Sequence, residues 1–343
     1  PWEERTDFRY PMYAEGLRRA FDMVSCLNLP IIVTENGVAD DDDDMRPEHV
    51  RRHLQITGEA IADGMDIRGF YHWSLMDNFE WAEGYDQRFG LYHVDFETKE
   101  RTLKESGVLY SEIVKAHRMP QVVILAGGLG TRLGEQTKQM PKSLIDVSGK
   151  PILTHILDWA TAQGCMEALI LTGHLGEQFD GFRHEGMALT FHQESEPLGT
   201  GGALWNARHL LQNRFILLWG DDFHPIDYGE LVAHHEQTSS PLTLTVTTEH
   251  DEMNLLHIDG KIAQYDKSES PPSEFNGYES GTSIVEKSVL LEHGRDGKWS
   301  WEETVYPEMS MKASAYLDNT KFWDMGTPER LARLEEFLNK ASF

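Results

Sequence analysis

A short apolar run followed directly by a glycine-rich run constrains the fold of this chain most strongly. The run Val122–Leu125 has the length and composition of a buried strand, and the next segment, Ala126–Gly134, contains four glycines. Glycines directly after a strand let the backbone approach a phosphate closely, with successive N–H groups pointing inward. The pattern therefore predicts an anion-binding loop at the carboxyl end of a strand.

Two common phosphate-binding loops are excluded by residue identity. A dinucleotide fingerprint requires glycine at position 133, where Leu133 stands, and an acid after the second strand, where the segment 171–174 has none. A P-loop requires Gly-Lys-Ser/Thr at the end of the glycine run, where this sequence has Arg132-Leu133.

Two cations remain as candidate ligands of a nucleotide triphosphate. Arg132 offers a planar fork and Lys142 a point charge. Taken alone, Lys142 would more often be a surface lysine, and Arg132 would more often pair with a nearby acid. The net charge of 31 − 57 = −26 argues against a nucleic-acid surface, so an anionic substrate must be bound by a few placed cations or a metal.

Taken together, these motifs resemble one enzyme family. The string Leu-Ala-Gly-Gly-x-Gly-Thr-Arg-Leu at 125–133, Pro-Lys-x-Leu at 141–144 and Gly-Lys-Pro at 149–151 are similar to the N-terminal signature of the sugar-1-phosphate nucleotidyltransferases. The resemblance covers about residues 121–341. It implies an α/β fold, a Rossmann-like domain with a mixed, mostly parallel sheet, and transfer of a nucleotidyl group from a nucleoside triphosphate to a sugar 1-phosphate.

The resemblance also implies a set of site residues. Arg132 and Lys142 are the expected catalytic cations. The nucleotide-binding residues would be Leu125, Ala126, Gly127, Gly128, Gly130, Thr131, Glu196, Gly199 and Thr200.

Two strand-end acids are expected to bind Mg²⁺. The apolar run 215–219 ends in Gly-Asp-Asp and the segment 322–328 reads Phe-Trp-Asp-Met-Gly-Thr-Pro; oxygen ligands of this kind suit Mg²⁺. In the family the metal ligands correspond to Asp221 and Asp324. Asp222 is the alternative if the register slips by one, although a solvated turn aspartate is the preferred interpretation of that residue.

The sugar-phosphate side matches the family less closely. By resemblance Lys267 would bind the sugar phosphate, Gly281 would lie in the sugar-binding segment and Glu302 would meet sugar hydroxyls. Asp266 and Ser268 stand where the family has Glu and Pro. The segment 196–202 is most similar to the heptose- and mannose-1-phosphate guanylyltransferases, but the sequence leaves base, sugar and oligomeric state open.

The first third of the chain carries a second pattern. Apolar runs at 30–34 and 67–74 alternate with helical stretches at 47–63 and 104–115, as in parallel α/β structure, but two such units cannot close a barrel of eight strands. Glu35 follows the first run, and aromatic and acidic side chains interleave over 70–81, a composition that suits a sugar site.

These segments resemble the C-terminal quarter of a family-1 glycoside hydrolase of the β-glucosidase type, over about residues 8–116. The resemblance implies a partial (β/α)8 barrel, with Glu35 as nucleophile and Trp73, Glu80 and Trp81 binding the sugar. The family's Asn-Glu-Pro segment, which supplies the partner carboxyl, does not occur in this sequence. We expect no glycosidase turnover and exposed apolar surface on these strands.

Several wider expectations follow. Pro120 breaks the helical pattern, so the sequence predicts domains at 1–118 and 119–343.

Two cysteines, Cys26 and Cys165, and no apolar run of about 20 residues favour a cytoplasmic protein without membrane or nucleic-acid partners. The start at Pro1 suggests an excerpt. Two alternatives stay open: a bifunctional hydrolase and transferase parent, and a module that binds nucleotide-sugar without turnover.

Overall fold

The computed structural model describes residues 5–116, 119–128, 135–268 and 271–340. The chain divides into two compact units, Pro1–His117 and Arg118–Phe343. Within the described ranges, no helix is both long and apolar enough to span a membrane.

The first unit consists of short α/β elements. In chain order these are α1 (Glu15–Ser25), β1 (Ile31–Asn36), α2 (Arg46–Ala62), β2 (Ile67–His72), β3 (Tyr92–Val94), β4 (Arg101–Leu103) and α3 (Glu105–Ala116). Strands β1 and β2 pair in parallel, and β3 and β4 form an antiparallel hairpin. The predicted alternation of strand and helix is therefore confirmed, with each boundary displaced by at most a few residues.

The paired strands of this unit are only partly covered. A small core gathers Phe21, Val33 and Ala60. On the same two strands, Ile32 and Tyr71 expose 54% and 62% of their surface. Because large apolar side chains on a parallel sheet are normally covered on both faces, the expected exposed apolar surface is confirmed.

The second unit begins with β5 (Gln121–Leu125), all of whose residues are buried. It continues with α4 (Glu135–Gln139), β6 (Asp146–Val147), β7 (Lys150–Pro151), α5 (Ile152–Ala162), β8 (Glu167–Thr172), β9 (Ala188–Gln193), α6 (Gly199–Asn206), β10 (Arg214–Trp219), β11 (Asp222–Phe223), α7 (Tyr228–Thr238), β12 (Leu242–Thr247), β13 (Leu255–Ile258), β14 (Lys261–Tyr265), β15 (Tyr278–Glu286), α8 (Lys287–His293), α9 (Trp301–Glu308), β16 (Ser314–Leu317), β17 (Trp323–Asp324) and α10 (Pro328–Lys340).

A nine-stranded sheet organises this unit. Its strand order is β13-β14-β16-β12-β15-β10-β5-β8-β9. The pairings make β14 and β15 run against the other seven strands, so the sheet is mixed and mostly parallel, as expected. From β5 the chain adds β8 and β9 on one side and then returns to place β10 on the other. Ligands bind at the carboxyl ends of strands where the order reverses in this way.

Apolar side chains cover both faces of this sheet. On one face, α5 buries the stripe predicted from its sequence, Ile152, Leu153, Ile156, Leu157 and Ala160. On the other face, Leu204 of α6 and Trp301 of α9 pack with Val123 and Leu217. The carboxyl ends of β5, β8 and β10 are thus held rigidly side by side.

Candidate active site

A cavity of about 340 Å³ opens at the carboxyl ends of β5, β8 and β10. It is lined by Leu125, Ala126, Gly127, Gly128, Lys142, Ser143, Leu171, Thr172, Glu194, Pro197, Gly199, Thr200, Ala203, Trp219, Asp221, Lys298 and Gly326. A mixed lining of apolar side chains and a few charged groups is typical of small-molecule sites.

The first glycine-rich loop forms one wall of this cavity. Leu125, Ala126, Gly127 and Gly128 all line it. The predicted ligands Gly130, Thr131 and Arg132 lie outside the described residues. A side chain at Gly127 would stand 3.3 Å from the Gly173 amide nitrogen, so this wall depends on close backbone approach.

The second glycine-rich turn forms the facing wall. Gly199 has a φ of +69°, and a Cβ there would lie 2.6 Å from the Trp299 carbonyl oxygen. That carbonyl accepts a hydrogen bond from the Gly201 amide at 3.1 Å. The Thr200 hydroxyl accepts one from the Trp301 amide at 2.8 Å. Thr200 therefore lines the cavity as predicted, while its hydroxyl also anchors the segment that enters α9.

That segment brings a cation that the sequence analysis missed. Lys298 lines the cavity and makes no ion pair with any residue in the described ranges. Its neighbour Trp299 donates its amide to the Leu198 carbonyl at 2.9 Å and is 6% exposed. A lone lysine in a short polar stretch carries no motif, so only the packing of Trp299 on the glycine turn reveals it.

The cavity contains a different glutamate from the one predicted. Glu196 is exposed and is not among the lining residues, whereas Glu194 is. Burial raises the pKa of Glu194, partly opposed by a hydrogen bond to one oxygen from the Leu198 amide at 3.1 Å. Glu194 follows β9 directly. It lies two positions before the motif that begins at Glu196, so no motif marked it in the sequence.

Acidic side chains gather where β11 meets β17. Asp221 lines the cavity and forms an ion pair with Lys142. Asp222 stands directly opposite Asp324 in the antiparallel pair β11–β17. Asp324 is not among the cavity-lining residues, and its carboxylate is bound by Arg330 and the Gly326 amide.

The interpretation of Asp222 as a solvated turn residue is wrong. It lies in β11 and is half-buried, and its pKa is raised well above the usual range by burial and by the charges of Asp221 and Asp324. Asp222 and Asp324 are cross-strand neighbours, and Asp221 directly precedes Asp222. Carboxylate oxygens, completed by water and substrate phosphates, are the ligands that Mg²⁺ takes in proteins. The residues present therefore fit Mg²⁺.

The residues predicted for the sugar phosphate form a second group. Lys267 and Glu302 form an ion pair at 2.6 Å, and Gly281, with a φ of +83°, lies beside Asp222. None of these three lines the cavity described above. Beneath them lies Glu279, which the sequence analysis did not single out; burial and the charge of Glu302 raise its pKa to about 8.

The residues predicted for glycoside hydrolysis lie in the first unit. Glu35 is exposed at the end of β1, and no hydrogen bond or ion pair joins it to another described residue. Trp73 and Glu80 are half-buried, whereas Trp81 is 82% exposed. The adjacent Asn36 side chain contacts His49 at 3.1 Å. The Glu35 carboxylate is therefore open to solvent.

By its mostly parallel sheet, glycine-walled cavity and strand-end acids, the second unit belongs to the α/β class of domains that carry a ligand site at the carboxyl ends of their strands. Family comparisons agree with this assignment. Residues 121–255 match the model described as nucleotidyl transferase, and residues 1–119 match that of glycosyl hydrolase family 1. Both resemblances inferred from the motifs are confirmed, and they follow one another along the chain.

Individual relatives match only one part each. The crystal structure of HddC from Yersinia pseudotuberculosis complexed with GMP-PN is 27% identical, with a TM-score of 0.56, over 64% of this chain and 100% of that one. A putative glucose-1-phosphate thymidylyltransferase from Bacillus anthracis, 19% identical with a TM-score of 0.57 over 65% of this chain and 97% of that one, shares the fold.

The first unit has relatives of its own. A β-galactosidase from Pyrococcus woesei is 42% identical over 110 residues, which are 32% of this chain and 22% of that protein. The chain spans about a quarter of the length of the curated relatives it matches.

Proposed function

We propose that residues 119–343 transfer a nucleotidyl group from a nucleoside triphosphate to a sugar 1-phosphate, releasing pyrophosphate. The observation that carries this proposal is the 340 Å³ cavity, whose walls combine the glycine backbone at 127–128 with Lys142 and Asp221. Open backbone amides and a lysine are complementary to a polyphosphate, and the nucleotidyltransferase match of residues 121–255 supports the reaction class.

The reaction is a displacement at phosphorus. A phosphate oxygen of the sugar 1-phosphate attacks the α-phosphorus of the nucleotide, the bond to the β-phosphate oxygen breaks, and pyrophosphate leaves. A phosphate monoester is already an anionic nucleophile, so no covalent enzyme intermediate is needed. The protein has to bring two polyanions together and stabilise the developing charge.

The chain's own residues divide this work. The amides at 127–128 orient the phosphates, and Lys142, held by Asp221, supplies positive charge beside them. Arg132 is proposed as the second cation. Asp221 and Asp324 would hold Mg²⁺, which when bound neutralises phosphate charge.

We further propose a guanosine nucleotide as donor and a mannose or heptose 1-phosphate as acceptor. The segment 196–202 supports this choice by its resemblance to the corresponding guanylyltransferases. The similarity to HddC, solved with GMP-PN, agrees with it.

A pyrophosphate-release assay tests the proposal. GTP, ATP, UTP and CTP are each combined with glucose, mannose and heptose 1-phosphates in the presence of Mg²⁺, and we expect release above background with GTP. Asp221→Ala should abolish the release while the unfolding transition of the protein is retained. Saturable nucleotide binding without any pyrophosphate release would support a non-catalytic binding module instead.

For residues 1–118 we propose a glycoside hydrolase segment without turnover. Retaining hydrolysis uses two carboxyls about 5–5.5 Å apart. Glu35 is exposed, and the sequence contains no Asn-Glu-Pro segment to supply the partner.

A further inference from the structure

We propose that Arg330 is the resident counter-cation of Asp324, and that a divalent cation must displace its guanidinium before Asp324 can act as a metal ligand. This inference rests on the metal assignment within the proposed function. It gives a role to a residue that neither the sequence motifs nor the comparisons single out.

The contact between the two side chains is specific. Nη1 of Arg330 lies 3.0 Å from both carboxylate oxygens of Asp324. The Gly326 amide donates to the Oδ1 atom of the same carboxylate at 2.8 Å. Asp324 is therefore held in one orientation, and both of its oxygens are engaged by donors that a metal would have to replace or share.

The position of Arg330 in its helix indicates that its side chain is held by Asp324. Arg330 lies in the first turn of α10, where its amide donates to the Thr327 hydroxyl at 3.3 Å. The amino end of a helix carries partial positive charge, so a cation is disfavoured there. The carboxylate of Asp324 offsets that cost, which explains why the guanidinium folds back toward β17.

The guanidinium of Arg330 also has room to move away from the Asp324 carboxylate. The Arg330 side chain is 53% exposed, whereas that of Asp324 is 25% exposed. Besides Asp324, Tyr278 and Glu252 also favour the charged form of Arg330. Glu252 is therefore a second acidic neighbour for the guanidinium once it has left Asp324. Replacement of the guanidinium by a divalent cation therefore needs a rotation of the Arg330 side chain and leaves the Asp324 carboxylate in place.

The charge balance favours an exchange. Asp221, Asp222 and Asp324 are three carboxylates with two cationic partners, Lys142 and Arg330. A divalent cation that replaced Arg330 would add one positive charge beside these acidic side chains. With Arg330 in place, a divalent cation bound to Asp324 would be repelled by the guanidinium, whose Nη1 lies 3.0 Å from both carboxylate oxygens.

Mn²⁺ binding to the full chain without nucleotide tests the inference, with free Mn²⁺ measured by electron paramagnetic resonance. The chains compared are wild type, Arg330→Gln, Asp324→Asn and the double variant. Since an exposed ion pair contributes little, we expect Arg330→Gln to lower the Kd about two- to fivefold. The double variant should bind as Asp324→Asn does, because the competition requires the carboxylate.

Two controls isolate the effect. Arg333→Gln removes the same charge from the exposed surface of the same helix and should leave the Kd close to that of wild type. Arg330→Lys should give an intermediate Kd, because it keeps the positive charge but places it on a side chain of different reach. The cluster of buried Asp40 with exposed Asp42 and Asp44 should bind any Mn²⁺ equally in all chains, so the Asp324→Asn background subtracts it.

The outcomes separate this inference from the proposed function. An unchanged or raised Kd in Arg330→Gln, or equal binding by wild type and Asp324→Asn, overturns the inference whatever the pyrophosphate assay shows. Tighter Mn²⁺ binding in Arg330→Gln without pyrophosphate release from the wild type would uphold the inference and overturn the function.

Discussion

At the scale of single residues, the ion pair between Lys142 and Asp221 gives the clearest prediction. Lys142 is a charged donor on the cavity wall and is largely buried, with 13% of its side chain exposed. A hydrogen bond to a charged group contributes about 1.5–3 kcal/mol. We therefore expect Lys142→Ala to lower kcat/KM for pyrophosphate release about 10- to 100-fold, with kcat and nucleotide affinity both reduced.

Lys150→Ala is the matched control for that variant. Lys150 lies eight residues away on the surface, pairs with Asp158 and does not line the cavity. It should keep wild-type kinetics. Equal activity of the Lys142 and Lys150 variants would remove Lys142 from the catalytic assignment.

Glu279 gives a prediction about pH. Burial raises its pKa from 4.5 to about 8, so the folded state holds its proton more tightly than the unfolded state does. Its contribution to stability is fully present below pH 4.5 and is lost as the pH rises to about 8, by at most about 5 kcal/mol. Glu279→Gln keeps an acceptor for the Gly281 amide, which lies 2.9 Å from Oε1 in the wild type, and removes the titration.

Urea unfolding at pH 5 and pH 8 checks this prediction. The Glu279→Gln variant should gain stability relative to wild type as the pH rises between these values. A constant difference between the two proteins would show that Glu279 titrates normally in the folded state.

Residue types at strand ends were predictable, but their neighbours were not. Asp221 and Lys142 follow from motifs, and both line the cavity. Asp222 owes its importance to burial and to the carboxylates beside it, and Glu194 owes its importance to burial. Spacing along the sequence encodes neither. A sequence pattern names groups that can do chemistry, and tertiary packing decides which of them are desolvated.

At the scale of elements, the amino-terminal turn of α6 positions a whole segment. A Cβ at Gly201 would lie 2.1 Å from the Trp299 ring, which is buried. Gly201→Ala should therefore destabilise the second unit by about 1–3 kcal/mol, since overpacking forces side chains and backbone to move. It should also slow pyrophosphate release, because Trp299 holds Lys298 at the cavity.

Thermal unfolding and the same kinetic assay test this variant. Gly58→Ala serves as a control, because Gly58 lies inside α2 with no atom within 4 Å of an added Cβ. That substitution should stabilise the first unit by up to about 1 kcal/mol. If Gly201→Ala were equally tolerated, the glycines of this turn would not be required for packing.

Elements were easier to predict than their arrangement. The helix α5 and the strands β5, β8 and β10 follow from apolar periodicity, since each buries a continuous face. The reversal of β14 and β15 within the sheet had no such signal, because an antiparallel buried strand has the same apolar composition as a parallel one. Strand order is a property of long-range pairing and needs the structure.

At the scale of the whole molecule, the two units carry unequal chemistry. The second has a cavity between two glycine-rich walls, whereas the first matches about a quarter of the length of its glycosidase relatives. We therefore expect the full chain to release pyrophosphate from nucleotide and sugar phosphate, and to leave an aryl β-glucoside unhydrolysed.

Glu35→Gln separates these activities within the full chain. Glu35 belongs to the first unit and Asp221 to the second. Because a retaining mechanism needs both a nucleophile and a nearby acid, one exposed carboxylate should give no more aryl alcohol than the uncatalysed reaction. Glu35→Gln should leave pyrophosphate release unchanged, whereas Asp221→Ala should abolish it. Saturable release of aryl alcohol that disappears in Glu35→Gln would show instead that the first unit acquires a partner carboxyl, and the chain would then carry two active sites.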